Sequence, residues 1–154
     1  MSTLQFALIV ITAFAAMELF SYLVHRFVYH RVLWTLHRSH HTPRKGAFEL
    51  NDVFPTVFAA TTILLVMRGV HSDDGGLLMA AGAGITAYGV VYFFVHDLYV
   101  HRRVKVLRLR IPILVNVKKA HAMHHRYGGE PYGLLLFFNM QRVEKEAVTE
   151  DEVV

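Results

Sequence analysis

Apolar residues fall into three long runs separated by polar, histidine-rich segments. Leu4–Val24 carries one charge, Glu18. As a helix rising about 1.5 Å per residue it spans roughly 30 Å, the thickness of a bilayer core. Val53–Val70 is the second run, with Asn51 and Asp52 where helix caps belong and Pro55 in the first turn, where its missing N–H is harmless. Leu77–Val100 is the third, after a turn over His71–Gly76. Its Ala80, Gly84 and Ala87 recur at helical spacing and predict close helix–helix contact. Ile111–Val117 and Tyr132–Asn139 are too short to span a bilayer and are expected at the interface or packed under the helices. The pattern predicts an all-α integral membrane protein with about three transmembrane helices plus interfacial helices. A cleavable signal peptide does not fit the first run, because no Lys or Arg precedes it and a histidine cluster follows it at once. Gly82-Ala-Gly84-Ile-Thr-Ala87 has the spacing of a dinucleotide fingerprint, but it lies inside an apolar helix with no strand before it.

Composition agrees with a membrane protein. The 154 residues are 54% hydrophobic and 18% charged, against about 45–50% and about 25% in soluble domains. Of 16 Lys and Arg residues, all but Arg68 lie in 25–50 or after residue 100. The positive-inside rule then places the N-terminus outside and residues 25–50 and 101–154 in the cytoplasm, with the inner (cytoplasmic) membrane as the expected location. The net charge of +4 therefore reflects topology, and nucleic acid is not expected as a partner. The basic stretch Arg102–Arg110 is expected to meet anionic headgroups. Residues 1–143 read as one membrane-embedded domain and 144–154 as an acidic, mobile tail.

The chain has no cysteine, which excludes iron–sulfur clusters, thiolate-ligated haem, cysteine nucleophiles and disulfides. It has eleven histidines, and ten of them form one pattern written twice. His25 and His30 are followed by His37, His40 and His41; His96 and His101 are followed by His121, His124 and His125. Each half ends in His-x-x-His-His, and on a helix positions i, i+3 and i+4 share an arc of about 100°, so the three imidazoles can aim at one point. The five-residue steps give about 140° on an ideal helix and predict a helix end or a bulge at each pair. Two crossings separate the arrays, so both finish on one face, where ten imidazoles suffice for two metal ions. Imidazole suits Fe, Zn, Cu and Ni alike. His71 stands apart as a loop residue. Glu18, seven residues before His25, and Asp97, beside His96, are candidates to orient a ligand imidazole, with Arg102 or Arg103 as alternative partners for Asp97. Asn51 and Asp52 read as caps. Tyr88, Tyr92 and Phe93, with Phe48 and Leu50, are candidates to line a substrate pocket.

The paired His-x4-His and His-x-x-His-His set resembles the membrane fatty acid hydroxylase and sterol desaturase superfamily. Within it, 37–52 (His-Arg-Ser-His-His-Thr-Pro-Arg-Lys-Gly-Ala-Phe-Glu-Leu-Asn-Asp), 82–97 and Ala120-His-Ala-Met-His-His125 are similar to the bacterial β-carotene 3-hydroxylase branch. The likeness covers about residues 15–130. It implies a centre of two iron ions held by His25, His30, His37, His40, His41, His96, His101, His121, His124 and His125, with O₂ as co-substrate. It also implies hydroxylation of a carotenoid drawn from the bilayer, with no catalytic side chain beyond the ligands. The sequence carries no flavin, nicotinamide or iron–sulfur motif, so electrons are expected from a ferredoxin and its NAD(P)H-dependent reductase, steered by the basic face. A 4-ketolase, or a sterol or fatty-acyl hydroxylase or desaturase, uses the same metal set. A histidine-rich metal transporter is the non-enzymatic alternative, and it would call for more ionisable residues within the spans than Glu18.

Overall fold

In the computed structural model, which describes residues 1–44, 46–73, 75–104 and 110–135, every described element is helical. Ser2 opens the first helix with a capping box: its hydroxyl accepts the Gln5 N–H, and the Gln5 side chain accepts the Ser2 N–H. Helix α1 is Thr3–Val24 and runs on without a break as a π-helical segment, His25–Val32. A short helix α2 (Trp34–His37) follows. A 3₁₀ turn (Leu50–Asp52) then leads into α3 (Val53–Val70), the bounds expected from the second apolar run. Helix α4 (Gly75–Tyr92) also continues as a π segment, Phe93–Val100, and α5 is Pro112–Tyr127. Among the described residues three stretches are long and apolar enough to cross a membrane: Thr3–Val32, Leu50–Val70 and Gly76–Val100. The run Ile111–Val117 opens α5, whose Pro112 stands in the first turn, where no N–H is needed. Tyr132–Leu135 is non-helical, with Leu134 buried under the helices. The rest of that run, most of the basic stretch before Arg110 and the acidic tail lie outside the described residues.

Helix α4 is the middle of a three-helix layer, packed on α1 at one side and α3 at the other. Small residues make this possible, two of the three expected among them. Ala80 is fully buried, and a Cβ at Gly84 would stand 2.4 Å from the Val10 carbonyl of α1. A Cβ at Gly82 would stand 2.5 Å from Val66 Cγ2 of α3. Ala87, by contrast, is exposed. The helix must serve two neighbours, so its contact positions split between two faces and follow no single stripe. The fingerprint-like Gly82-x-Gly84 is thus a packing device. The outward faces of α1 and α3 keep large apolar side chains exposed, such as Ile11 and Leu64, as lipid contact requires.

Gly84→Ala is expected to destabilise the bundle by about 1–3 kcal/mol, because the Val10 carbonyl belongs to a helix backbone and cannot rotate away. Gly89→Ala, where a Cβ meets nothing within 4 Å, is expected to be neutral or stabilising, since glycine disfavours helix. Thermal unfolding of the two detergent-solubilised variants checks this; equal melting temperatures would show that α1 and α4 have room to spare.

Candidate metal centre

The five-residue histidine steps sit on the two π segments. In a π turn the backbone N–H bonds five residues back, so residues five apart lie above one another. His101 N–H donates to the His96 carbonyl at 2.9 Å, and Leu33 N–H to the Val28 carbonyl at 2.8 Å. The widened helix therefore aligns His25 with His30, and His96 with His101. After α2 the chain tightens into turns bonded three residues back, His40 N–H to His37 O at 2.9 Å and His41 N–H to Arg38 O at 3.1 Å. The second triplet rides the last turns of α5.

These elements bring the arrays together, but the triplets do not each aim at one point. One donor set joins His25, His30, His37 and His41 with His124; the other joins His96, His101 and His121 with His40. Within each set the ligand atoms lie within 4.8 Å of one another. Each array thus lends one residue to the other, because an arc of about 100° is wide enough to face two adjacent centres. His125 lies between the sets, stacked on His41 at 4.2 Å and with its ring 4.5 Å from that of His121.

Hydrogen bonds fix which imidazole nitrogen is bare. His25 Nδ1 donates to the Tyr132 carbonyl at 2.8 Å, His37 Nδ1 to Asn51 Oδ1 at 2.7 Å, and His124 Nδ1 to the Gly129 carbonyl at 2.5 Å. Their Nε2 atoms are left as lone pairs, yet His25 Nε2 and His37 Nε2 face each other at 3.0 Å. Two lone pairs at that distance cannot bond one another, whereas a cation between them satisfies both. His125 Nε2 is buried with no hydrogen-bond partner among the described residues. The donor set therefore fits metal ions, and all-nitrogen ligation suits iron among others. Burial, the chief cause at each, holds His37 and His41 down at about 4 and His101 and His124 at about 3. It pushes His121 and His125 well below the ordinary value too. These imidazoles are thus neutral at pH 7, the form that ligates metal.

Beside Glu18 and Asp97, the supports of the site come from residues that sequence patterns hide. Asn51, read as a cap, orients His37 instead. Asp52 is the N-cap residue of α3, as expected, though without a side-chain bond there. Its carboxylate accepts from Glu49 N–H at 3.0 Å, completing a capping box on the 3₁₀ turn, and from Arg103. Gly128, in the left-handed conformation (φ 72°) that favours glycine, ends α5 and turns the Gly129 carbonyl toward His124. Glu18 carries the acceptor of His25 one step back. Its carboxylate receives the N–H groups of Leu134 (2.9 Å) and Leu135 (2.8 Å) and the Tyr88 hydroxyl (2.8 Å), pinning the segment that presents the Tyr132 carbonyl. Asp97 Oδ1 lies 3.0 Å from Arg103 Nε and 3.7 Å from His96 Nδ1, so it faces both expected partners. Glu49 had no expected role, yet its Oε2 stands 3.6 Å from His40 Nδ1 and its Oε1 receives Arg103 at 2.7 Å. His40 and then Arg103 hold its carboxyl down at about 2. The polar run Glu49-Leu-Asn-Asp52, set between a histidine triplet and an apolar helix, was the available signal.

A cleft of about 1030 Å³ opens between α1, α3 and α4 and ends on His25, His37, His40 and His96. Phe48, Tyr88, Tyr92 and Phe93 line it, while Leu50 is exposed and outside the lining. The Tyr92 ring lies 4.5 Å from that of His96. A smaller hollow of about 380 Å³, bordered by His40, His41, Arg44 and His125, reaches the histidines from another side. His71 is exposed in the turn between α3 and α4.

Residues 10–143 match the family model described as fatty acid hydroxylase. The chain is 45% identical over 129 residues to β-carotene 3-hydroxylase 1, chloroplastic, of Arabidopsis thaliana, covering 80% of this chain and 42% of that protein. It is 43% identical over 129 residues to β-carotene hydroxylase 2, chloroplastic, of Capsicum annuum, again covering 80% of this chain and 42% of that one. Against the β-carotene hydroxylase of Pantoea ananas it is 45% identical over 125 residues, 80% of this chain and 70% of that protein. The chain thus spans about two fifths of the length of the plant relatives it matches. No solved structure matches it.

Proposed function

The chain belongs to the fatty acid hydroxylase family, and from that premise we propose that it hydroxylates C3 of the β-ionone rings of β-carotene, giving β-cryptoxanthin and then zeaxanthin. The observation that carries this reading is the apolar cleft that opens between membrane helices and ends on the histidine donor sets. Two iron ions, held by the ten histidines, would supply the O₂ activation that an unactivated ring C–H bond demands. The chain's own residues do the rest. The Tyr132 carbonyl, Asn51 and the Gly129 carbonyl keep Nδ1 protonated on His25, His37 and His124 and so keep Nε2 free to ligate. The cleft takes the substrate laterally from lipid, and its apolar walls exclude water near the donors. Tyr92 and Phe93 form the wall nearest His96 and hold the ring with C3 forward, against the weaker allylic bond at C4. Electrons come from a ferredoxin and its NAD(P)H-dependent reductase at the cytoplasmic face of the inner membrane.

Expression in a β-carotene-producing bacterium, followed by pigment chromatography and mass spectrometry, tests the reading. β-Cryptoxanthin and zeaxanthin are expected. Echinenone and canthaxanthin in their place would identify a 4-ketolase, and an unchanged pigment profile would move the substrate to a sterol or fatty acyl chain. The orientation has its own check: reporter fusions after residues 45, 73 and 130 are expected to read inside, outside and inside. An inside reading at 73 would mean that α3 and α4 re-enter without crossing.

A further inference from the structure

The two donor sets differ in what stands behind their imidazoles. In the set holding His25, His37 and His124, the Nδ1 acceptors are neutral: two backbone carbonyls and the Asn51 amide, at 2.5–2.8 Å. The carboxylate of Glu130 is paired with Arg26, 2.8 Å away, and that of Glu18 faces no imidazole of this set directly but stands one step further back, on the Leu134 and Leu135 N–H groups. Behind the other set stand carboxylates. Glu49 faces His40 Nδ1 at 3.6 Å and Asp97 faces His96 Nδ1 at 3.7 Å, and His96 Nδ1 is buried with no hydrogen-bond partner among the described residues. A single guanidinium, Arg103, serves Glu49, Asp52 and Asp97 together. Among the described residues three carboxylates thus share one cation in this cluster, in a place largely shielded from water, where charge acts strongly. A carboxylate behind a ligating imidazole raises its basicity, and such outer partners are worth about 10- to 100-fold in metal affinity.

We propose that the two metal positions are unequal, and that the His40–His96–His101–His121 position binds its ion more tightly because Glu49 and Asp97 face its imidazoles. Glu49 and Asp97 are then positioning residues, acting on the ion through His40 and His96. This rests on the metal reading of the donor sets but not on the identity of the substrate.

The test is anaerobic loading of the full chain in detergent with ferrous iron, then titration with a ferrous chelator while protein-bound iron is counted. Two phases of release are expected, about 10- to 100-fold apart in chelator concentration. Glu49→Gln and Asp97→Asn should each weaken the tight phase and leave the loose one in place, while Asn51→Ala should weaken only the loose phase. A single phase in the unaltered protein would overturn the proposal without any variant having to fold. So would a loss confined to the loose phase in Glu49→Gln. Two phases in a protein that leaves carotenoids untouched would sustain it while removing the proposed substrate, and no bound iron at all would overturn the metal reading beneath both.

Discussion

Alanine at His124 is expected to cost the first donor set its ion, although His124 belongs to the second histidine array. Its Nε2 lies 3.1 Å from His30 Nε2, and it is completely buried. Removing it opens a coordination position in that set. Turnover should fall by more than the roughly 10- to 100-fold that loss of an outer hydrogen-bond partner costs. Bound iron should drop from about two ions per chain to about one, as one set of imidazoles loses its closure. His40→Ala should do the same to the other set. Alanine at any of the remaining pattern positions is expected to be nearly as damaging, and His71→Ala close to harmless. The measurement is a pigment assay with metal analysis at matched membrane expression across all eleven variants. Full turnover at several pattern positions would show that those imidazoles are not ligands.

A bulky side chain at Gly89 is expected to separate substrate binding from metal binding. Gly89 lines the cleft, and a Cβ there meets nothing within 4 Å. Gly89→Trp therefore places a large ring in the space without forcing the helices apart. A ring held about 1 Å out of place can cost roughly 100-fold in rate, and an obstructed cleft should cost at least that. Iron content and melting temperature should stay near those of the parent protein. Undiminished hydroxylation by this variant would mean that the substrate approaches from elsewhere, the smaller hollow beside Arg44 being the other opening onto the histidines.

The spans were legible because lipid imposes long apolar runs, and the second matches its helix from Val53 to Val70. The first was read as ending at Val24, where the polar His25-Arg-Phe-Val-Tyr-His30 begins, while the helix continues to Val32. Hydropathy marks where lipid ends, and a helix has no obligation to stop there. The ten histidines announced themselves by spacing, but spacing within a triplet could not say which imidazole serves which centre. That depends on how α2 and α5 approach one another. Asn51 was misread because capping a helix and orienting an imidazole call for the same short polar side chain. The carbonyls of Tyr132 and Gly129 were invisible for a different reason: every residue has one, and only the path of the chain decides which carbonyl meets a histidine.

The π segments place local regularity and the site in opposition. Each is equivalent to one residue inserted into an α-helix. Deleting a residue between His25 and His30 would bring the pair to a four-residue step, a good α-helical neighbour spacing. The helix would lose its wide turn, whose hydrogen bonds are the less common kind. But everything beyond the deletion would rotate by about 100° and draw back about 1.5 Å. His37 and His41 would swing away from His124, and Asn51 would lose the imidazole it holds. A shortened chain could thus be the better helix and have no donor set. The same reasoning applies between His96 and His101, so in both halves the reading frame of the helix matters as much as the histidines it carries.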